Sequence, residues 1–138
     1  MRIRKALPPD IPDAFELARR LGLDDPGLAQ DALWVAEDAG RIAGLVALRR
    51  HPDCLELYAL GVDPRCRGRG LAKALVEALM AEAPGDVHLA TVIPEFFEGC
   101  GFRVIREGIP ETFPAKRRTA WCEGCSQERC TVMRRTRS

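Results

Sequence analysis

Hydrophobic and polar residues change rhythm several times along this chain, and each change predicts an element. Residues 1–6 alternate, which predicts a short first strand stopped by Pro8-Pro9. Ile11, Ala14, Phe15, Ala18 and Leu21 recur at helical spacing. Asp10 is expected to cap that helix, and Gly22 to end it. Residues 24–31 are polar and predict a loop with no more than a short helical turn. Apolar runs at 33–37, 42–49 and 54–62 are separated by Asp38-Ala39-Gly40 and His51-Pro52-Asp53, which predicts a three-strand meander. Leu71, Ala74, Leu75, Ala78 and Leu79 form one stripe of a second helix that Pro84-Gly85 stops. Residues 87–91 read as a strand, and 94–100 as a short helix with Pro94 in its first turn. Residues 102–106 read as a strand, 107–120 as irregular around Pro110 and Pro114, and 131–135 as a last strand. The order predicts an α/β (α+β) fold with a mixed, mostly antiparallel sheet flanked by helices. The 138 residues suit a single domain, 1–138, with a cysteine-bearing C-terminal segment at 112–138.

The junction between the third meander strand and the second helix carries the densest chemistry. It reads Arg65-Cys66-Arg67-Gly68-Arg69-Gly70-Leu71-Ala72. The first turn of a helix has N–H groups without intrahelical partners, and its dipole favours an anion there. Gly68 and Gly70 carry no Cβ and let the backbone approach a ligand closely. The three arginines add positive charge, so the turn predicts a phosphorylated cofactor. A P-loop is excluded, because no Gly-Lys-Ser or Gly-Lys-Thr is present. A dinucleotide fingerprint is excluded as well: position 73 is lysine, and the turn lies mid-chain.

This turn resembles the acetyl-CoA loop of the GNAT superfamily of N-acetyltransferases, Arg/Gln-x-x-Gly-x-Gly/Ala, with Arg65, Gly68 and Gly70 on its fixed positions. The predicted element order is similar to the GNAT fold over essentially the whole chain. Residues 34–44, Trp-Val-Ala-Glu-Asp-Ala-Gly-Arg-Ile-Ala-Gly, look like the family's hairpin into the central sheet. Phe96-Phe97-Glu98-Gly99-Cys100-Gly101-Phe102 looks like its Phe-Tyr/Phe-Glu-x-x-Gly-Phe helix end. The resemblance implies acetyl-CoA as cofactor, held by Leu60, Gly61 and Val62 along the pantetheine arm and by Arg65, Cys66, Arg67, Gly68, Arg69, Gly70, Leu71 and Ala72 around the phosphates. Gly61 within a strand also fits a bulge or a close backbone approach. A backbone N–H near Leu60 is expected to polarise the thioester carbonyl.

Acetyl transfer to an amine further needs a base. Glu56 lies on the third meander strand, in phase with Tyr58 and Leu60, and a carboxylate on a mostly apolar strand suits a base or a water-orienting group. Glu37 and His88 are weaker alternatives. Many family members carry a tyrosine as general acid where this chain has Phe97, which has no proton to give. Tyr58 is the sole tyrosine and lies on another element; Cys100 is near Phe97 in sequence. A thiol of pKa about 8.5 also leaves tolerably into water.

Residues 89–98, Leu-Ala-Thr-Val-Ile-Pro-Glu-Phe-Phe-Glu, resemble a stretch of amino-acid acetyltransferases of the N-acetylglutamate synthase type, and are also similar to small arsenic-resistance acetyltransferases. The resemblance implies a small amine acceptor, with an amino acid such as glutamate leading, attacked directly in a ternary complex. Carboxylates on the acceptor call for cations, and Arg19, Arg20, Arg103, Arg117 and Arg134 are available. Cys122-x2-Cys125-x4-Cys130 has zinc-like spacing in its first pair, with a redox role and plain packing as the other readings. Trp121 reads as a core or lid residue.

Composition narrows the partners. Twenty-one basic and 20 acidic residues give a net charge of +1, which argues against nucleic acid. No run approaches a membrane span of about 18 apolar residues, and the N-terminus lacks the apolar core of a signal peptide. A cytoplasmic location is expected, with the six cysteines as thiols or metal ligands. A homodimer stays open. Two rival readings stand beside the enzyme: a non-catalytic acyl-CoA-binding or regulatory domain, and a thiol-rich metal- or arsenical-responsive protein on the same fold.

Overall fold

The computed structural model describes residues 1–117 and 130–137. They divide into two compact units, Met1–Arg49 with Leu57–Glu82, and Arg50–Glu56 with the described residues from 83 onward.

The first unit holds strands β1 (Arg2–Lys5), β2 (Ala32–Asp38), β3 (Arg41–Arg50) and most of β4 (Leu55–Val62), side by side in that order. β1 pairs antiparallel with β2, and β2 with β3. The β2–β3 turn places Ala39 at φ 52° and Gly40 at φ 79°, the left-handed pair that a two-residue hairpin requires. Two helices belong to this unit, α1 (Ile11–Arg20) and α2 (Leu71–Glu82). Leu71, Leu75, Val76, Leu79 and Met80 of α2 are buried. Leu17 and Ala18 of α1 pack with Leu28, Leu33, Leu45 and Ala47, and burial of this kind supplies most of a helix's stability in a protein. Asp10 makes no side-chain cap on α1, contrary to expectation. A short 3-10 turn at Pro8–Asp10 runs straight into the helix, and the Asp10 carboxylate instead accepts from Arg4 at 2.5 Å and from the Leu7 N–H at 2.7 Å.

The second unit takes in the first two residues of β4. Leu55 and Glu56 pair in parallel with Val87 and His88 of β5 (Val87–Thr91). β5 pairs antiparallel with β7 (Thr131–Arg135), and β7 with the two-residue edge strand β6 (Arg103–Val104). Helix α3 (Pro94–Glu98) buries Phe97, which meets Phe102 edge-on at 5.9 Å. A further helix, α4 (Thr112–Arg117), occupies part of the segment expected to be irregular. Pro114 falls in its first turn, where the missing N–H has no intrahelical partner to lose. With one parallel pairing among antiparallel ones, the sheet is mixed and mostly antiparallel, as expected. No helix among the described residues is long and apolar enough to cross a membrane.

Candidate active site

The turn between β4 and α2 is built by its backbone. Asp63 follows β4 directly, and its N–H donates to the Ala43 carbonyl at 2.7 Å. Its carboxylate accepts from the Arg65 N–H at 3.0 Å, starting a 3-10 turn over Pro64–Cys66. Arg67 then returns to extended backbone, with its side chain reaching the Val62 carbonyl at 3.4 Å. Gly68 and Gly70 follow at φ 83° and 74°, a conformation that any side chain would strain. Among the described residues, and apart from its chain neighbours, nothing lies within 4 Å of where a Cβ would stand on either. The Gly70 carbonyl accepts from the Ala74 N–H at 3.1 Å, so α2 begins there and points its first N–H groups at this open surface. The geometry therefore fits a phosphate group, on backbone grounds.

The arginines contribute less free charge than the sequence suggested. Arg65 binds Asp63 through Nε at 3.2 Å and Nη2 at 2.9 Å, and Arg69 binds Asp38 at 2.9 Å. The bond from the Arg65 side chain, with its backbone N–H, holds the Asp63 carboxyl well below the usual carboxylate range. Asp63 is 4% exposed, and it fixes the turn. Sequence reasoning missed it, although an Asp-Pro pair at a strand end is a recognisable cap followed by a proline at the first position. Beside the turn lies a cleft of about 510 Å³ whose lining includes Arg20, Arg41, Asp38, Asp63, Arg65 and Cys66.

Leu60 and Gly61 are half-buried and Val62 is buried. A Cβ on Gly61 would stand 2.4 Å from Leu23 and 2.8 Å from Leu21. Gly61 is thus a site of close approach, but what approaches is the leucine pair after α1. The kink in β4 falls at Ala59, with φ 55°. It interrupts the two-residue alternation, so Leu60 does not keep the phase of Glu56 and Tyr58 as expected.

Tyr58 is not poised to give a proton to a leaving group. Its hydroxyl donates to Asp31 and accepts from Arg49 at 3.0 Å, and the Arg49 guanidinium lies 4.4 Å from its ring centre. Burial and the bond to Asp31 push the phenol well above its usual value. Arg49 also binds Asp25 at 2.7 Å and Asp31 at 2.8 Å. Burial works against its charge, but those bonds outweigh burial and its pKa rises. Together the four side chains tie the loop after α1 to β3 and β4. Glu37 faces Arg4 at 3.6 Å.

In the second unit, Glu56 is 2% exposed, and its Oε1 lies 2.8 Å from His51 Nε2. His51 sits on the turn before β4, closed by its own N–H to the Cys54 carbonyl at 2.8 Å. The turn is fastened from α4, where the Thr112 hydroxyl donates to Asp53 at 2.7 Å. Burial, reinforced by Asp53, pushes the Cys54 thiol up to about 11. His51 was not singled out from the sequence, since nothing there says which side chain meets Glu56. His88 pairs laterally with Glu56, and its Nδ1 is buried without a hydrogen-bond partner. Burial and the nearby Arg134 lower the His88 pKa. Cys100 is buried, and its carbonyl accepts from Arg135 at 2.9 Å. Trp121, Cys122 and Cys125 lie outside the described residues, as does the Arg117 side chain. Cys130 is half-buried just before β7.

Comparison with known proteins agrees with this architecture. The sequence matches the model of an acetyltransferase (GNAT) domain over residues 29–104, more than half of the chain. N-acetylaspartate synthetase of Homo sapiens is 35% identical over 81 residues, which cover 51% of this chain and 27% of that protein. The chain thus spans well under half the length of that relative. N-acetylglutamate synthase from Neisseria gonorrhoeae, solved with coenzyme A and N-acetyl-glutamate, superposes with a TM-score of 0.76 at 19% identity, over 99% of this chain and 35% of that one. The Mycobacterium tuberculosis protein Rv2747, solved in complex with CoA, superposes at 0.75 with 22% identity, over 99% of both chains. The fold is shared throughout, the family's sequence pattern runs from before β2 to the end of β6, and with the glycine turn opening α2 this chain belongs to the GNAT acetyltransferase family.

Proposed function

We propose that this chain is an acetyl-CoA-dependent N-acetyltransferase acting on the amine of a small molecule, with an amino acid as the acceptor class. The observation that carries the proposal is the turn at Asp63–Leu71: two left-handed glycines with open space before them, at the start of a twelve-residue helix. Family membership and relatives named for acetylating aspartate or glutamate support the same reading.

In this reading, Gly68, Gly70 and the first N–H groups of α2 hold the phosphates, and Leu60, Gly61 and Val62 lie along the pantetheine arm. Acetyl-CoA supplies an acetyl group activated as a thioester. Glu56 takes the proton from the acceptor ammonium, and His51, joined to it and 20% exposed, passes that proton to solvent. No described side chain is assigned as general acid: Phe97 has no proton to give and Tyr58 is held by Asp31 and Arg49. The test is acetyl-CoA consumption with thiol release against amino acids, polyamines, amino sugars and peptides. Turnover on an amino acid supports the full reading. Turnover only on the other amines restricts it to acetyl transfer, and acetyl-CoA binding without turnover on any acceptor favours the non-catalytic domain.

A further inference from the structure

One row of side chains crosses the second unit. Strand register places Glu56, His88, Arg134 and Arg103 next to one another on β4, β5, β7 and β6. Laterally paired residues project from the same face of a sheet, with neighbouring strands about 5 Å apart. The row therefore runs from a buried carboxylate, across an imidazole, to two exposed guanidinium groups. Phe113 of α4 packs on the His88 ring at 6.3 Å.

Two features of this row are unfavourable for the chain alone. Arg134 and Arg103 are direct cross-strand partners, and like charges opposite each other destabilise a ladder. Among the described residues no carboxylate pairs with either. Arg19 differs, being held by Glu16 at 2.6 Å, and Arg20 lies 3.7 Å from Asp63. The second feature is the buried His88 Nδ1, which has no hydrogen-bond partner and lies between Glu56 and Arg134 in the row. A buried nitrogen of this kind is costly to the fold unless something binds it.

Resting on the acetyltransferase reading, we infer that this row selects an acceptor bearing a carboxylate as well as an amine, with Arg134 and Arg103 holding the carboxylate while the amine faces Glu56. A zwitterion matches the order of charges along the row: its cationic end meets the carboxylate and its anionic end meets the guanidinium pair. A guanidinium binds a carboxylate through two parallel hydrogen bonds, so the selection falls on the carboxylate whatever the rest of the acceptor. Arg134 and Arg103 act here as specificity residues, and neither touches the acetyl group.

The test compares L-glutamate with propylamine and L-aspartate with ethylamine, each pair differing only in carboxylates. Wild-type protein, Arg134→Gln and Arg103→Gln are assayed for turnover, and for binding of each amine by calorimetry in the presence of CoA. Both positions are exposed, so the variants should fold. The expected result is a wild-type preference for the carboxylated amine. It should fall about tenfold or more in Arg134→Gln, through KM for the carboxylated amine. A wild type that treats the paired amines alike, or a preference untouched in both variants, overturns the inference and leaves acetyl transfer standing. A chain that transfers no acetyl group yet binds glutamate through Arg134 contradicts the enzyme reading and keeps the site. A chain that neither transfers nor binds a carboxylated amine overturns this inference too.

Discussion

The turn at residues 63–71 and the row that begins at Glu56 are two kinds of site. The turn is exposed and made of backbone: two glycines in the left-handed region, a helix start, and arginines already tied to Asp63 and Asp38. The Glu56 site is made of side chains, with one carboxylate fully enclosed and joined to His51. A backbone site depends on what each position is able to adopt, so it leaves a readable mark on the sequence. A side-chain site depends on which strands lie together, and it leaves almost none. The two should also fail differently when altered, the first in affinity and the second in rate.

The largest effect expected on rate is at Glu56. Glu56→Gln keeps the shape and removes the base, so kcat should fall about 10²–10³-fold while calorimetry shows unchanged acetyl-CoA affinity. Wild-type kcat in that variant would move the base elsewhere. His51→Gln should give a smaller fall, with activity partly restored by added imidazole if His51 carries the proton outward.

Next comes the packing that sets the turn. Leu75 of α2 is fully buried. Leu75→Ala should cost about 2–5 kcal/mol, read from urea denaturation. A loss below 1 kcal/mol would mean that α2 is not anchored by this face.

Asp63→Asn tests the turn itself. It removes a carboxylate that receives three hydrogen bonds from Arg65, and acetyl-CoA affinity should fall severalfold. The folded pKa of Asp63 lies below its unfolded value, so its contribution is fully present at neutral pH and is lost as pH falls through the folded value. The difference in stability between wild type and Asp63→Asn should therefore be widest near neutrality and close in strong acid. A difference that is constant with pH would assign Asp63 no electrostatic role.

The smallest effect belongs to Tyr58. Tyr58→Phe removes bonds to Asp31 and Arg49 and should cost about 1 kcal/mol, leaving kcat within about twofold. A large drop in kcat with stability unchanged would restore the tyrosine as general acid.

Most of the fold was readable because burial imposes a period. β5 and β7 came out at their observed bounds; β5 alternates buried residues with more exposed ones, and β7 carries its two buried residues, Val132 and Met133, ahead of an arginine pair. α4 was missed because two prolines suggested irregular chain, although a proline in a first turn breaks nothing. β6 is shorter than expected: Phe102 is enclosed in the core and only Arg103 and Val104 join the ladder. The kink at Ala59 was unreadable, because alanine has no preference for positive φ. Asp10 looked like a cap locally, and a competing arginine four residues into the chain took its carboxylate. In the site, Gly68 and Gly70 were readable from residue type alone. Glu56 stood out as a charge on an apolar strand, but His51 as its partner and Arg134 and Arg103 as its row needed the register.

The most direct test of the account is a calorimetric titration of acetyl-CoA into wild-type protein and Gly68→Glu, with Gly68→Ala as the control for backbone strain. The account predicts a saturable site in the wild type. It predicts a modest weakening in Gly68→Ala from left-handed strain of about 1–3 kcal/mol. In Gly68→Glu, where a carboxylate would face the phosphates, the loss should be about a hundredfold or more. Equal affinity in wild type and Gly68→Glu would contradict the assignment of this turn as the cofactor site.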